Sequence, residues 1–395
     1  MSIARFRKSG TVELPEAVRA SPRLAEADGF WVEERDGELL LHPRVRDIKK
    51  LYVEPTTGCN LTCRTCIRNV WSDPVGAMSA GTWNNLQEQL ADLPQLSRVV
   101  FTGFGEPLSH PRILEMVADV RARDIAVSLG TNGLLLDAAM ARDLVRLGVD
   151  RLVVSVDGVD PAVYADVRGA QLEQVLDNIR LLNEAKRQLD TLIPALGIEF
   201  VVLRSNLHEL PQLTGLASRL CAARVLVSNV LCYTAEMKEQ MLYGYDPQPS
   251  LLASGWPVRT GPWVTWGTVE LPRMHWGAER QCKFVHDHST VIGWDGAVTP
   301  CYALSHNYEY LAIDGVKKSV ARYALGDVNR QRLEEIWMSE DYVRFRSEVR
   351  AFHFPSCPNC DLRETCDLRQ QNEACWGWNP SCADCLWAQD IVRCP

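Results

Sequence analysis

The 395-residue chain has no apolar run approaching the roughly 20 residues that cross a bilayer, so no membrane-spanning helix is expected. Its first ten residues, Met-Ser-Ile-Ala-Arg-Phe-Arg-Lys-Ser-Gly, carry charge but no apolar h-region and do not read as a secretory signal. Positive charge is not in excess either. The net charge is −8, which leaves no electrostatic case for nucleic acid or an anionic membrane surface as a partner. Hydrophobic residues make up 46% and charged residues 23%, the ordinary balance of a globular chain, and the length suits two or three domains. What the chain does have is cysteine, fourteen of them. Without a secretory signal these argue for metal or redox use in a reducing compartment, the cytoplasm by default, and against a disulfide framework.

The most informative stretch is Glu54-Pro-Thr-Thr-Gly-Cys59-Asn-Leu-Thr-Cys63-Arg-Thr-Cys66-Ile-Arg68, directly after the apolar run Leu51-Tyr52-Val53. Three thiolates this close can converge on one metal centre from a single loop. A structural zinc site takes four ligands and closes. An iron–sulfur cubane held by three cysteines keeps one iron open. Disulfides across such short spans would be strained. The C-x3-C-x2-C spacing of Cys59, Cys63 and Cys66 resembles that of the radical S-adenosylmethionine (SAM) superfamily. The resemblance implies a 4Fe–4S cluster whose open iron is chelated by SAM, and a 5'-deoxyadenosyl radical made by its reductive cleavage.

From 51 to about 230, short apolar runs alternate with stretches of helical period. The runs are Arg98–Phe101, Ile125–Leu129, Arg151–Ser155, Leu196–Leu203 and Arg224–Ser228; the helical stretches cover 82–93, 111–123, 137–147, 171–188 and 207–220. With the strand at 51–54 this predicts six βα units, hence a parallel sheet with helices outside. It matches the partial (β/α)6 barrel of the radical SAM core. Ligands of such sheets bind at the carboxyl ends of the strands, and the strand ends here resemble the family's SAM contacts. Gly105-Glu106-Pro107 is similar to the GGEP motif, departing at Phe104 where a glycine is usual. Thr131 and Asn132 match a TNG stretch. Ser155 and Asp157, followed by Arg168-Gly169, match S-x-D-G…R-G, which implies Ser155 near the ribose and Arg168 near the SAM carboxylate. Asn229 and Val230 fall where the adenine is seated. No acid or base for the chemistry is identified.

Cysteine dominates the last third. Cys282, Gly296, Cys301, Cys357-Pro-Asn-Cys360 and Cys366 are spaced like the SPASM domain, which holds auxiliary 4Fe–4S clusters, and Ile292–Cys301 resembles its hairpin with Asp295-Gly296 as the turn. Eight residues, where the family has three, separate Cys366 from Cys375. By the resemblance, Cys357, Cys360 and Cys366 share one cluster closed by Cys382 or Cys385, and Cys282, Cys301 and Cys375 share another whose fourth ligand is open; Cys394 is a surplus candidate. Taken alone, the C-x2-C pairs also suit zinc ribbons. Cys221 and Cys232 read as small core residues, and His286 and His288 as surface or supporting residues.

The expected organisation is a hairpin cap over 1–50, a radical SAM core over 51–233, a Trp-rich linker over 234–280 and the SPASM domain over 281–395. The cap's hairpin turns at Arg35-Asp36-Gly37 and is placed against an edge or end of the main sheet. Trp256, Trp263, Trp266 and Trp276 line a mouth or a satellite core. The stretch Cys63–Trp71 and the tail Cys375–Pro395 look like the radical SAM/SPASM maturases of tungsten-cofactor oxidoreductases. That implies a tungstopterin oxidoreductase or a peptide as partner and a reductant such as ferredoxin or flavodoxin. The alternatives are a peptide-crosslinking maturase, an electron carrier without radical chemistry, or a zinc-stabilised interaction protein.

Overall fold

A computed structural model describes residues 5–6, 8, 11–35, 37–245, 268–277 and 280–394. Trp256, Trp263 and Trp266 lie outside the described residues, as does Asp36 at the predicted turn. Among the described residues no helix is long and apolar enough to cross a membrane.

Six βα units follow one another as expected. The strands are β1 (Lys50–Val53), β2 (Arg98–Phe101), β3 (Ala126–Thr131), β4 (Arg151–Ser155), β5 (Ala195–Val202) and β6 (Arg224–Asn229). Between and after them run α1 (Ala80–Gln89), α2 (Ile113–Arg121), α3 (Ala138–Arg146), α4 (Pro161–Arg168), α5 (Leu172–Gln188) and α6 (Leu210–Arg219). Helix α4 was not anticipated. Asp160 caps it by accepting from the Ala162 and Val163 N–H groups, Pro161 opens it, and Gly169 ends it at φ +68°. It delivers Arg168 to the mouth of the sheet.

Alternation along the strands separates two environments. Leu51 and Val53, Val99 and Phe101, Leu152 and Val154, and Ile198 and Phe200 face the helices in the main core. The intervening residues face the lumen. They start with cations at the strand beginnings (Lys50, Arg98, Arg151, Arg224), pass through Val100, Val153, Gly197 and Leu226, and end with Ser155 and Glu199.

The sheet extends past six strands. Thr268–Glu270 (β7) pairs parallel with β6 at one edge. At the other, Ser289–Ile292 (β8) pairs parallel with β1, and Ala297–Thr299 (β9) and Gly326–Asp327 (β10) follow antiparallel. The order is β7-β6-β5-β4-β3-β2-β1-β8-β9-β10. The predicted Asp295-Gly296 turn is present, Gly296 at φ +92°. Its hairpin, however, prolongs the main sheet, because β1 leaves an edge whose backbone groups need partners.

The N-terminal hairpin pairs Ala27–Arg35 with Glu38–Val45. Trp31 donates its indole N–H to the Met338 carbonyl at 3.0 Å, and Arg35 pairs with Glu348 at 2.6 Å, so the hairpin docks on the helix Glu340–Ala351. Cys232 is buried as expected, but Cys221 is exposed, just past the end of α6 at φ +56°. Trp276 is buried, its ring 6.1 Å from that of Tyr245.

Candidate active site

The cysteine loop leaves the carboxyl end of β1 and is pinned where it returns. Thr57 and Gly76 exchange backbone and side-chain hydrogen bonds at 2.9 and 2.8 Å, and Thr56 Oγ1 donates to the Gly76 carbonyl at 2.7 Å. Cys59, Cys63 and Cys66 thereby line one pocket of about 200 Å³. They are free thiols, and no fourth cysteine and no histidine lines that pocket among the described residues. Burial pushes the Cys59 and Cys66 thiols up, which favours the neutral form until a cation binds. A donor set of three partly buried sulfurs, with no fourth cysteine or histidine lining the pocket among the described residues, fits a cubane with a vacant iron better than tetrahedral zinc.

The strand-end motifs meet around the same pocket. Gly105, Glu106 and Pro107 line it, with Thr131, Asn132, Ser155, Asp157 and Arg168. Glu106 is buried and does not face out as a ligand group. It accepts from Leu108 N–H (2.9 Å), Thr131 Oγ1 (2.8 Å) and Asn132 N–H (2.6 Å), and so locks the β2 and β3 ends together. Gly105 must be glycine: a Cβ there would lie 2.1 Å from the Thr56 carbonyl oxygen. Asn132 Nδ2 reaches Asn60 Oδ1 at 2.7 Å and tethers the cysteine loop. Arg168 stands 2.7 Å from Asp157 without hydrogen-bond alignment and points Nη1 at the Cys63 sulfur, 3.5 Å away. Its nearest partners are thus the motif aspartate and a cluster thiol. Asn229 and Val230 line an adjoining pocket of about 210 Å³. The Asn229 amide is engaged there, donating to the Arg273 and Ile391 carbonyls at 3.0 Å each, so it also anchors the C-terminal tail.

Three groups have roles that the sequence reading did not assign. Phe104, at the aberrant GGEP position, sets its ring 6.0 Å from Trp71, 5.9 Å from Tyr302 and 5.5 Å from His306. His306 bonds Glu54 at 2.9 Å and Asp73 at 2.8 Å through its two ring nitrogens. Burial alone would lower its pKa, but the two carboxylates outweigh it and hold the ring protonated above its ordinary range. This clamp joins the cysteine-rich third to both ends of the cluster loop. Nothing local in the sequence announces it.

Glu199 is the third. It faces the lumen from β5, lines both pockets, and among the described residues its carboxyl has as hydrogen-bond partner only Ser155 Oγ at 3.5 Å. An acid at the inward register of an otherwise apolar strand was the available signal. Burial, then Asp157, push its carboxyl up to about 7. The folded state therefore holds a proton that the unfolded chain, with an ordinary value of 4.5, gives up. The associated stability is complete below pH 4.5 and lost as pH rises through 7. Glu199→Gln should match the parent at pH 4.5 and exceed it at pH 8 by on the order of 2 kcal/mol, after discounting for solvent in the lumen. Denaturant midpoints without SAM at the two pH values check this. Equal offsets at both would refute it.

The auxiliary candidates lie in the last third of the chain and differ in burial. Burial pushes the Cys282 thiol up to about 12, with Cys385 adding to it. Burial also drives Cys301 and Cys382 well up, and each feels Cys282 and Cys385. Cys301, Cys382 and Cys385 line one small cavity, and Cys282, Cys357, Cys382 and Cys385 pack in one cluster. Cys357 is raised to about 11 by burial, with Asp384 and Cys366 contributing. Cys360 and Cys375 are exposed. Cys394 lies apart from all of these, in the lumen, where it accepts from the Trp387 indole at 3.1 Å. The tail enters the barrel because Asn229 and Ser228 bind its backbone. His288 pairs with Asp47 at 2.5 Å.

A model of the radical SAM superfamily matches residues 53–200, and one of the SPASM iron–sulfur cluster-binding domain matches 282–361. The chain belongs to the radical SAM superfamily and carries a SPASM domain. It is an enzyme whose cofactors are 4Fe–4S clusters and SAM, and it needs an electron donor. Among its relatives is the tungsten-containing aldehyde ferredoxin oxidoreductase cofactor-modifying protein of Pyrococcus furiosus, 36% identical over 88% of this chain and 97% of that protein. The PqqA peptide cyclase of Gluconobacter oxydans is 31% identical over 48% of this chain and 51% of that protein. The structure of Streptococcus suis SuiB bound to S-adenosylmethionine shares the fold, with TM-score 0.57 at 17% identity over 83% of this chain and 73% of that one. So does anSMEcpe with bound AdoMet, at TM-score 0.56 and 16% identity over 82% and 91% of the two chains.

Proposed function

We propose that the chain matures a tungsten-dependent oxidoreductase, using its radical on that enzyme's cofactor or on a peptide of it. One observation carries the reading: the match to the cofactor-modifying protein is 36% identical and covers 97% of that protein, whereas peptide cyclases match at 31% over about half of each chain or at 26% over about four fifths. When bound, the reduced cluster and SAM supply a 5'-deoxyadenosyl radical that abstracts hydrogen. Cys59, Cys63 and Cys66 would hold that cluster. Gly105 lets the backbone of the β2 loop approach the cysteine loop, Glu106 fixes the Thr131-Asn132 turn beside it, and Arg168, neutralised in part by Asp157, supplies positive charge at the pocket wall. Phe104, Trp71 and Tyr302 exclude water on the side facing the cysteine-rich third. In that third, Cys282, Cys301, Cys382 and Cys385 would hold one auxiliary cluster and Cys357, Cys360 and Cys366 three corners of another. Ferredoxin or flavodoxin fits as electron donor, and the thiol load fits the cytoplasm.

The weaker peptide-cyclase matches support a second reading, a crosslink made in a ribosomal precursor peptide. Anaerobic pull-down with the cluster-loaded enzyme separates the two. Retention of a tungstopterin oxidoreductase, and a SAM-dependent mass change in its cofactor or chain, is the expected result. Retention of a short precursor peptide instead would replace this reading with the second.

A further inference from the structure

The largest lumen cavity is not at the SAM end of the barrel. It lies at the opposite end, where the strands begin, and measures about 490 Å³. Alternation brings Lys50, Arg98, Arg151 and Arg224 into it from β1, β2, β4 and β6. Arg224 is satisfied, its guanidinium bidentate to Glu270 at 2.8 and 3.0 Å. Of the other three, Lys50 has one long ion pair and the two arginines have none among the described residues. Arg98 has the Ser128 hydroxyl at 2.9 Å and no carboxylate within ion-pair distance among the described residues. Arg151 has no carboxylate partner among them either. Lys50 is 3.8 Å from the half-exposed Asp287, with its ammonium 4.6 Å from the Tyr52 ring centroid. Burial and the facing Arg151 lower the Arg98 pKa; burial lowers that of Lys50, and Arg98 and Arg224 add to the effect. A chain of net charge −8 has thus gathered mutually repelling cations in one concavity, a cost that a bound anion would remove.

The other walls say what kind of anion. Tyr52, Phe284 and Trp387 line the same cavity. Its volume is far more than a bare phosphate fills and falls within the range of sites for small organic ligands. We propose that this cavity binds a small organic phosphate carrying a flat ring, with the phosphate on Arg98, Arg151 and Lys50 and the ring against the aromatic wall. Trp387 and residues 392–394 line both this cavity and the pocket next to the SAM seat, so the tail stands where an occupant of one would be felt at the other. The assignment does not depend on which substrate the radical is used on.

The test is calorimetric titration of the cluster-loaded enzyme with guanosine 5'-monophosphate, inorganic phosphate and guanosine, with saturating SAM present. Guanosine 5'-monophosphate should bind, at least tenfold more tightly than either fragment. Arg98→Gln with Arg151→Gln should weaken it at least tenfold, and SAM binding should be unchanged. Arg151→Gln alone, at an exposed position, should weaken it severalfold and serves if the double variant does not fold. No binding by any phosphorylated probe, equal affinity for inorganic phosphate, indifference to the arginine variants, or competition with SAM would each overturn the proposal.

Discussion

Replacing Cys63 with alanine should abolish 5'-deoxyadenosine formation from SAM, by at least about a thousandfold, and remove about four irons per chain. Cys63 is the most enclosed of the three thiols in the pocket. Its sulfur also lies 3.5 Å from the Arg168 guanidinium. A cubane with only two protein ligands has no substitute at hand, because no other cysteine and no histidine lines that pocket among the described residues. The auxiliary iron should survive, since its candidate thiols belong to a different group. Cys232→Ser is the control: the same atom is lost from a buried site, where its sulfur meets the Met237 carbonyl and the Tyr243 hydroxyl, and cluster content should not change. Iron analysis, the visible spectrum and product chromatography under dithionite read all three. Unchanged product from the Cys63 variant would mean that the radical is made elsewhere, and would defeat the assignment of the loop.

That loop was legible because its chemistry is local. Spacing within 59–66, and short motifs at successive strand ends, encode which groups share a strand terminus, and period-two alternation encodes which face they take. The structure accordingly gathers Gly105, Glu106, Pro107, Thr131, Asn132, Ser155, Asp157 and Arg168 at one pocket. Roles were less legible than positions. Glu106 holds backbone, and Asn229 holds the tail, because buried polar groups bind what surrounds them. Long-range partners were not legible at all. The pairing of β8 with β1, the His306 clamp on Glu54 and Asp73, and the entry of residues 387–394 into the lumen depend on complementary surfaces hundreds of residues apart. For the auxiliary cysteines, ligand spacing gives the number of thiols available, and the path of the tail decides which ones meet.

The tail's path rests on a buried ionic network, and Arg369→Met should destabilise the cluster-loaded protein by about 3–5 kcal/mol. Arg369 is 1% exposed and sits 2.7 Å from Asp314 and 3.4 Å from Asp384. Lys318, equally buried, reaches Asp384 at 2.7 Å from the other side. Two cations thus face two carboxylates with almost no water, so the network is neutral as a whole and costly in parts. Removing Arg369 strands Asp314, which has no second cation within ion-pair distance among the described residues, and leaves Asp384 to Lys318 alone. Removing Lys318 leaves both carboxylates on the two-sided guanidinium, so Lys318→Met should cost less than Arg369→Met. Adding Asp314→Asn to Arg369→Met removes the stranded charge and should return part of the loss. Asp384 lies between Cys382 and Cys385, so freeing it also frees the only segment that brings those thiols to Cys282 and Cys301. Anaerobic urea titrations with iron measured across the transition follow both effects, and iron should leave the Arg369 variant at lower denaturant than the parent. A loss below about 1 kcal/mol would mean that water or side-chain rearrangement replaces the guanidinium, and the tail would then be held by packing of Leu386, Ile391 and Val392 instead.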